Sequence, residues 1–228
     1  MKLIHFFSEK QYHNLGQPVP IKLLLPEWYR KAESYFTKDN RKIPGLKKCA
    51  PFLDAMISGY AFVTPFDINV ARNEDGTLNL TWDGPESFKD FIAERDMAQG
   101  HTIPRPSGHL PNHLVFVGKW GWKTPKGWST LVVPPLNRYE LPFTITSGII
   151  DSDDFNANGS LPFFIKEDFL GVIPAGTPIA QLIPVKRASW HHVPNNVGLR
   201  YLNALQSQFV KTDDNSYKNR IWKKKKFN

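Results

Sequence analysis

Between residues 114 and 185, short apolar, β-branched and aromatic runs follow one another, and each is stopped within a few residues by proline, glycine or asparagine. The runs fall near 114–119, 120–124, 128–134, 143–150, 161–166 and 178–185. They are separated by Thr124-Pro125-Lys126-Gly127, Pro134-Pro135, Asn156-Ala157-Asn158-Gly159 and Pro174-Ala175-Gly176. Proline fixes φ and removes an amide donor, so long helices cannot cross such a stretch, whereas strands of this length joined by tight turns can. With 19 Pro, 16 Phe, 7 Trp and 7 Tyr in 228 residues, an all-α reading fits poorly and a compact barrel or sandwich is expected.

The flanks carry other signals. Pro26-Glu27-Trp28-Tyr29-Arg30-Lys31-Ala32 places proline and an acid in a first helical turn, where neither costs the helix anything. Pro51-Phe52-Leu53-Asp54-Ala55-Met56-Ile57-Ser58-Gly59 repeats this pattern, with apolar residues at 52, 53, 56 and 57 and Gly59 as a stop. A hairpin is expected over 61–82, its two alternating runs flanking Asn73-Glu74-Asp75-Gly76. The stretch 86–99 reads as a surface helix or an ordered loop. The expected organisation is a helical or irregular N-terminal cover over 1–60, a β domain over 61–187, and a C-terminal extension over 188–228 that ends in a short basic helix. Together these make one mainly β structural domain.

Composition bounds the class of protein. Hydrophobic residues form 41% and charged residues 22% of the chain, enough for a packed core. Cys49 is the only cysteine, which excludes an intramolecular disulfide or a cysteine-based metal centre. The N-terminal apolar run is broken by His5, too short for a signal segment, and no run of about 18 apolar residues suggests a membrane span. A cytoplasmic protein without membrane contact is the expectation, in the host cytoplasm if the chain is encoded by a phage. The formal charge is +8, but Lys218, Arg220, Lys223, Lys224, Lys225 and Lys226 supply six of those charges, with no acid among the last twelve residues. A uniformly basic face is therefore not expected.

Three stretches are familiar in combination: 47–56 from Lys47 to Met56, then Thr124-Pro125-Lys126-Gly127-Trp128-Ser129, then Leu141-Pro142-Phe143 onward through Asp151 and Gly176-Thr177-Pro178-Ile179-Ala180-Gln181-Leu182. Together they resemble a family of uncharacterised proteins from tailed phages and some bacteria, over most of the chain. That resemblance implies a viral or bacterial origin and little chemistry. Within 143–185 alone, Thr146-Ser147-Gly148-Ile149-Ile150-Asp151-Ser152-Asp153-Asp154-Phe155 is similar to the substrate-site motif of the dUTPase and dCTP deaminase superfamily. Ile173-Pro174-Ala175-Gly176-Thr177-Pro178-Ile179-Ala180-Gln181-Leu182 is similar to the strand that follows it. The resemblance implies a β-clip fold, Asp151 as the carboxylate that activates water, and Phe155 packing on a sugar, with Mg2+ required only in that case. A serine-bearing phosphate motif is only loosely echoed by Pro104-Arg105-Pro106-Ser107-Gly108, and a glycine-rich phosphate-clasping arm is missing.

Read without the resemblance, Asp151, Asp153 and Asp154 form a polar turn closing a strand, while Gly176 and Gln181 serve turn geometry and a buried hydrogen bond. Trp120, Trp122 and Trp128 are candidates to line a ligand cleft bordered by Arg187, with Asp153, Phe155 and Gln181 as further ligand contacts; core packing is the ordinary use of such tryptophans. His101, His109 and His113, and the adjacent His191 and His192, lack metal-ligand spacing and read as loop residues, so no metal site is expected. Ser107 and Cys49 have no partner base, and Cys49 is expected to pack. Trp222 and Phe227 among the terminal lysines suggest either nucleic-acid contact or docking on a neighbouring subunit.

The leading expectation is a phage or bacterial accessory protein that acts by binding or assembly, as a homo-oligomer. The alternatives are a nucleotide hydrolase centred on Asp151 and a small-molecule-binding β-barrel.

Overall fold

The computed structural model describes residues 2–95, 103–155, 157–194, 198–212 and 217–228. The fold is mainly β. One five-stranded sheet runs in the order β1 (His5–Phe7), β9 (Leu114–Lys123), β13 (Ala157–Ile165), β11 (Phe143–Ile145), with β8 (Ile92–Glu94) also paired to β9. A second sheet runs β12 (Gly148–Ile150), β10 (Trp128–Val133), β15 (Pro178–Lys186), β5 (Tyr60–Val63), β2 (Val19–Pro20). A third joins β14 (Gly171–Ile173), β6 (Ile68–Arg72) and β7 (Leu78–Trp82), and β3 (Tyr35–Lys38) forms a separate hairpin with β4 (Arg41–Pro44). Every pairing among them is antiparallel.

Alternation explains the arrangement. On β9 the even positions Leu114, Phe116, Trp120 and Trp122 are buried, which is the period of a half-buried strand. Phe116 stacks on Phe163 of β13 with ring centroids 3.9 Å apart, and Trp122 meets Phe62 of β5 edge-on at 5.5 Å. The two large sheets therefore share one core, to which Ile68, Val70 and Ile173 of the third sheet also belong. Burying an aromatic or branched aliphatic side chain stabilises by roughly 1.5–3 kcal/mol. The sheets do not close into a barrel among the described residues, so the barrel expectation is corrected to stacked open sheets.

Several expected boundaries shift. Residues 114–123 form one strand rather than two, because the alternation continues through Lys119-Trp120 without a break. The 61–82 hairpin is real only as β6 and β7; β5 leaves it to pair with β15 and β2. The N-terminal region mixes short helices and irregular chain with strands, of which β1 and β2 are edge strands of the two large sheets. Its helices are short: α1 spans Glu27–Lys31 and α2 spans Ala50–Ile57. α2 ends as expected at Gly59, whose φ of +85° requires glycine and whose added Cβ would lie 2.0 Å from the Leu182 carbonyl oxygen. In the 86–99 stretch, Phe88 and Phe91 are buried in the core and β8 pairs with β9, so the described part is not a surface helix; its remainder lies outside the described residues.

After β15 the chain forms α3 (Leu199–Thr212) and a single π-type turn, Tyr217–Ile221. The terminal lysines then run in non-helical chain back along the body. Of the expected basic helix, the π-type turn with Lys218 and Arg220 is helical, while residues 222–228 are non-helical, and turn and tail together form a strap.

Candidate functional site

The register of the second sheet builds a charged cluster at one end of its central strand. Antiparallel pairing sets Thr130 of β10 opposite Ile150 of β12, and Trp128 opposite Lys186 of β15. Asp151 and Arg187, one residue beyond those strand ends, therefore converge on Ser129. Ser129 Oγ donates to Asp151 Oδ1 at 2.6 Å, and Arg187 Nη1 donates to the same oxygen at 3.2 Å.

Arg187 is held more firmly by Asp153. Nη1 donates to Asp153 Oδ1 at 2.8 Å and Nη2 donates to Oδ2, a bidentate pair of the strong kind. Asp153 Oδ2 also accepts from the Gly127 amide at 2.7 Å. Gly127 has φ +81°, a conformation that suits glycine in the turn closed by Trp128 N–H to Pro125 C=O. The hydrogen bond from Arg187, aided by the Gly127 amide, holds the Asp153 carboxyl well below the usual carboxylate range. The same contact pushes the Arg187 guanidinium above its ordinary value. Lys126 and Asp154 complete the cluster with an exposed ion pair at 2.7 Å, whose hydrogen bond raises the lysine.

Beneath this lies a buried chain of hydroxyls. Trp122 Nε1 donates to Thr130 Oγ1 at 2.9 Å; Thr130 Oγ1 and Ser152 Oγ are 2.7 Å apart, and Ser152 Oγ and Thr124 Oγ1 are 2.8 Å apart. Thr124 N–H donates to the Ser152 carbonyl, and the amides of Asp154 and Phe155 donate to the Asp151 carbonyl. The turn 151–155 is thus fixed from below by hydroxyls and from the side by Arg187. Ser129, Thr124, Thr130 and Ser152 are members that sequence reasoning missed. Their signal was present as polar residues at 129 and 130, adjacent strand positions that would face both sides of a strand read as core.

The other candidates are dispersed. Asp151 is largely exposed, and Phe155 beside it is 61% exposed. Trp120 and Trp122 are buried, Trp120 donating to the Leu15 carbonyl at 2.9 Å, while Trp128 is half-buried with Lys2 over its ring at 4.9 Å. The three tryptophans do not line one cleft. Gln181 is fully buried: its Oε1 accepts from the Leu136 amide, and its Nε2 donates to the carbonyls of Ala55 and Ser58 at 2.8 and 2.6 Å.

The basic tail lies on its own chain. Trp222 Nε1 donates to Asp54 Oδ2 at 2.7 Å, Lys225 Nζ donates to the same oxygen, and the Phe227 ring meets Tyr60 edge-on at 6.1 Å. Lys22 Nζ donates to the Asn228 side chain at 2.8 Å. Lys218, Arg220, Lys223, Lys224 and Lys226 are exposed.

His109 and His113 lie in the connection that precedes β9, outside the named strands, but they are buried rather than at the surface. His109 bonds the Ser107 carbonyl and Thr144 Oγ1, each at 3.0 Å, whereas both ring nitrogens of His113 are buried without a partner. His101 lies outside the described residues. Cys49 is exposed, against the expectation that it packs. Among the described residues no group of three histidines, cysteines or carboxylates could hold a metal ion, and no helix is long and apolar enough to cross a membrane.

Compared with known proteins, the sequence matches no family model and no curated relative.

Proposed function

We propose that this chain is a phage or bacterial accessory protein that acts by binding and assembly with further copies of itself, rather than by hydrolysis. The observation that carries this reading is the charge balance around Asp151. Three carboxylates, Asp151, Asp153 and Asp154, face two cations, Lys126 and Arg187, and each cation is already paired. A triphosphate entering here would meet a surplus of negative charge in this cluster, whose two cations are both committed to carboxylates, the reverse of what phosphoryl chemistry needs. Exposed apolar side chains favour association instead. Ile149, on edge strand β12, is 70% exposed, and Phe155, at the end of the turn that follows β12, is exposed as well. An open sheet edge bearing apolar side chains is a template for pairing with the same edge of another copy.

Light scattering on the full chain tests this directly. A dimer or higher closed oligomer, weakened by Ile149→Lys, is expected; a monomer across the micromolar range overturns the assembly reading.

A second reading rests on one observation: the Asp151 carboxylate stands exposed at a strand end beside an exposed aromatic ring. A β-clip hydrolase would use it as a general base toward a water, with Mg2+ neutralising the phosphates. Pyrophosphate release from a panel of nucleoside triphosphates with magnesium, abolished by Asp151→Asn, would replace the binding proposal with this one.

A further inference from the structure

A cavity of about 420 Å³ lies where the start of α2 meets the returning C-terminal strap, lined by none of the residues of the Asp151 cluster. Its walls include Tyr29, Lys47, Lys48 and Asp54 from the body, and Lys218 and Trp222 from the strap. Lys47 and Lys48 are half-buried, yet neither has an ion-pair partner among the described residues. Lys47 Nζ donates only to the Arg30 carbonyl, and Lys48 Nζ rests 4.5 Å from the centre of the Tyr35 ring. The stems of both lysines are partly covered while their charges lack a counter-ion among the described residues, and an anion placed between them supplies one. α2 adds to the field, since it begins here without a side-chain cap, and its first amides carry the positive end of the helix dipole.

Asp54 supplies the independent observation. It is 8% exposed; one oxygen takes Trp222 and Lys225, while the other, Oδ1, is buried with no hydrogen-bond partner. An unpartnered buried carboxylate oxygen is expensive and calls for a donor. The cavity thus offers cations for an anionic group and an acceptor for a hydroxyl or amine in the same small volume, within the size range of metabolite sites.

We infer that this cavity binds a small phosphate monoester carrying a hydroxyl or amino donor, of a size up to a mononucleotide, and that the strap closes over it. The phosphate lies between Lys47, Lys48 and Lys218, and the donor meets Asp54 Oδ1. Because Lys218 and Trp222 belong to the strap, ligand and strap stabilise each other.

The test is calorimetric titration of the full chain at physiological ionic strength with inorganic phosphate, glycerol 3-phosphate, a nucleoside 5′-monophosphate and a short single-stranded oligonucleotide. One monoester is expected to bind at one site per chain, more tightly than inorganic phosphate. Lys47→Ala with Lys48→Ala should weaken it at least about tenfold, while Lys223→Ala with Lys224→Ala, equally basic and outside the cavity wall, should leave it unchanged. The bound monoester should also slow tryptic cleavage after Lys223 and Lys224 in the wild-type chain. No binding by either monoester, or equal weakening by the two double variants, overturns the inference. Tighter binding by the oligonucleotide than by the monoesters, lost with Lys223 and Lys224, overturns it in favour of a diffuse basic patch.

Discussion

Arg187 clasps both carboxylate oxygens of Asp153 while lending one of the same nitrogens to Asp151. The two aspartates differ in consequence, because the Asp153 side chain is wholly buried and Asp151 is largely exposed. Replacing Asp153 leaves the Gly127 amide and the guanidinium without their acceptor, whereas replacing Asp151 leaves a solvated gap. Asp153→Asn is therefore expected to lower the melting temperature clearly more than Asp151→Asn or Asp154→Asn, measured side by side at neutral pH. The acid dependence has a defined sign. Asp153 titrates lower in the folded chain than its ordinary value of 3.8, so its stabilisation is complete above that pH and is lost as the pH falls below it. The gap between wild type and Asp153→Asn should accordingly narrow in acid.

Much of this cluster was readable as residue types but not as partners. Asp151, Asp153 and Arg187 each stood out in the sequence, yet Arg187 lies 34 residues beyond Asp153 and meets it only because β10 pairs with both β12 and β15. Apolar runs stopped by proline, glycine or asparagine revealed β10, β13 and β15. The same signal missed β1 and β2, whose two or three residues are too few to show a period, and β5, whose partner lies more than a hundred residues away. The strap was misjudged for a related reason. Its lysines suggest a helix by composition, while its non-helical course is tied to the body by a buried carboxylate on α2 and by Tyr60 and Lys22, contacts that local sequence does not reveal.

Gln181 joins α2 to the second sheet through three hydrogen bonds inside a fully buried side chain. Truncating it strands two carbonyls and an amide in the core. Gln181→Ala should cost about 2–4 kcal/mol, roughly 5–15 °C in melting temperature for a chain of this length. Gln181→Glu should be worse, since a carboxylate would face the Ala55 and Ser58 carbonyls. Chemical denaturation of the two variants checks both the size and the order.

His113 stacks on Phe164 with ring centroids 4.9 Å apart, and burial, aided by Arg95, lowers its pKa from 6.5. The folded chain therefore binds this proton less readily than the unfolded chain. The stability that depends on neutral His113 is complete above pH 6.5 and declines as the pH falls from there toward the depressed value. His113→Leu removes two unsatisfied ring nitrogens, whose burial costs about 1–3 kcal/mol, and gives up the ring stack. The variant should lose the part of the decline below 6.5 that His113 causes, visible as a shallower stability profile in denaturant titrations through the weakly acidic range. An unchanged slope would place the proton uptake elsewhere.

Trp222 ties the strap to α2 through one indole hydrogen bond to a carboxylate that also takes Lys225. A hydrogen bond to a charged group contributes roughly 1.5–3 kcal/mol, and the ring adds partly buried area against the cavity wall. Losing both in Trp222→Ala should raise the population of the undocked strap by at least about tenfold, while the sheets, which share no strand with it, stay folded. Trypsin reads that population at Lys223, Lys224, Lys225 and Lys226, because cleavage of a transiently opened segment follows how often it opens. Faster cleavage at these lysines, with unchanged cleavage elsewhere, is the expected pattern. Asp54→Asn should fall between wild type and Trp222→Ala, since the amide still accepts the indole hydrogen but no longer attracts Lys225. Cleavage at the wild-type rate in both variants would mean that Phe227 on Tyr60 and Asn228 on Lys22 hold the strap by themselves.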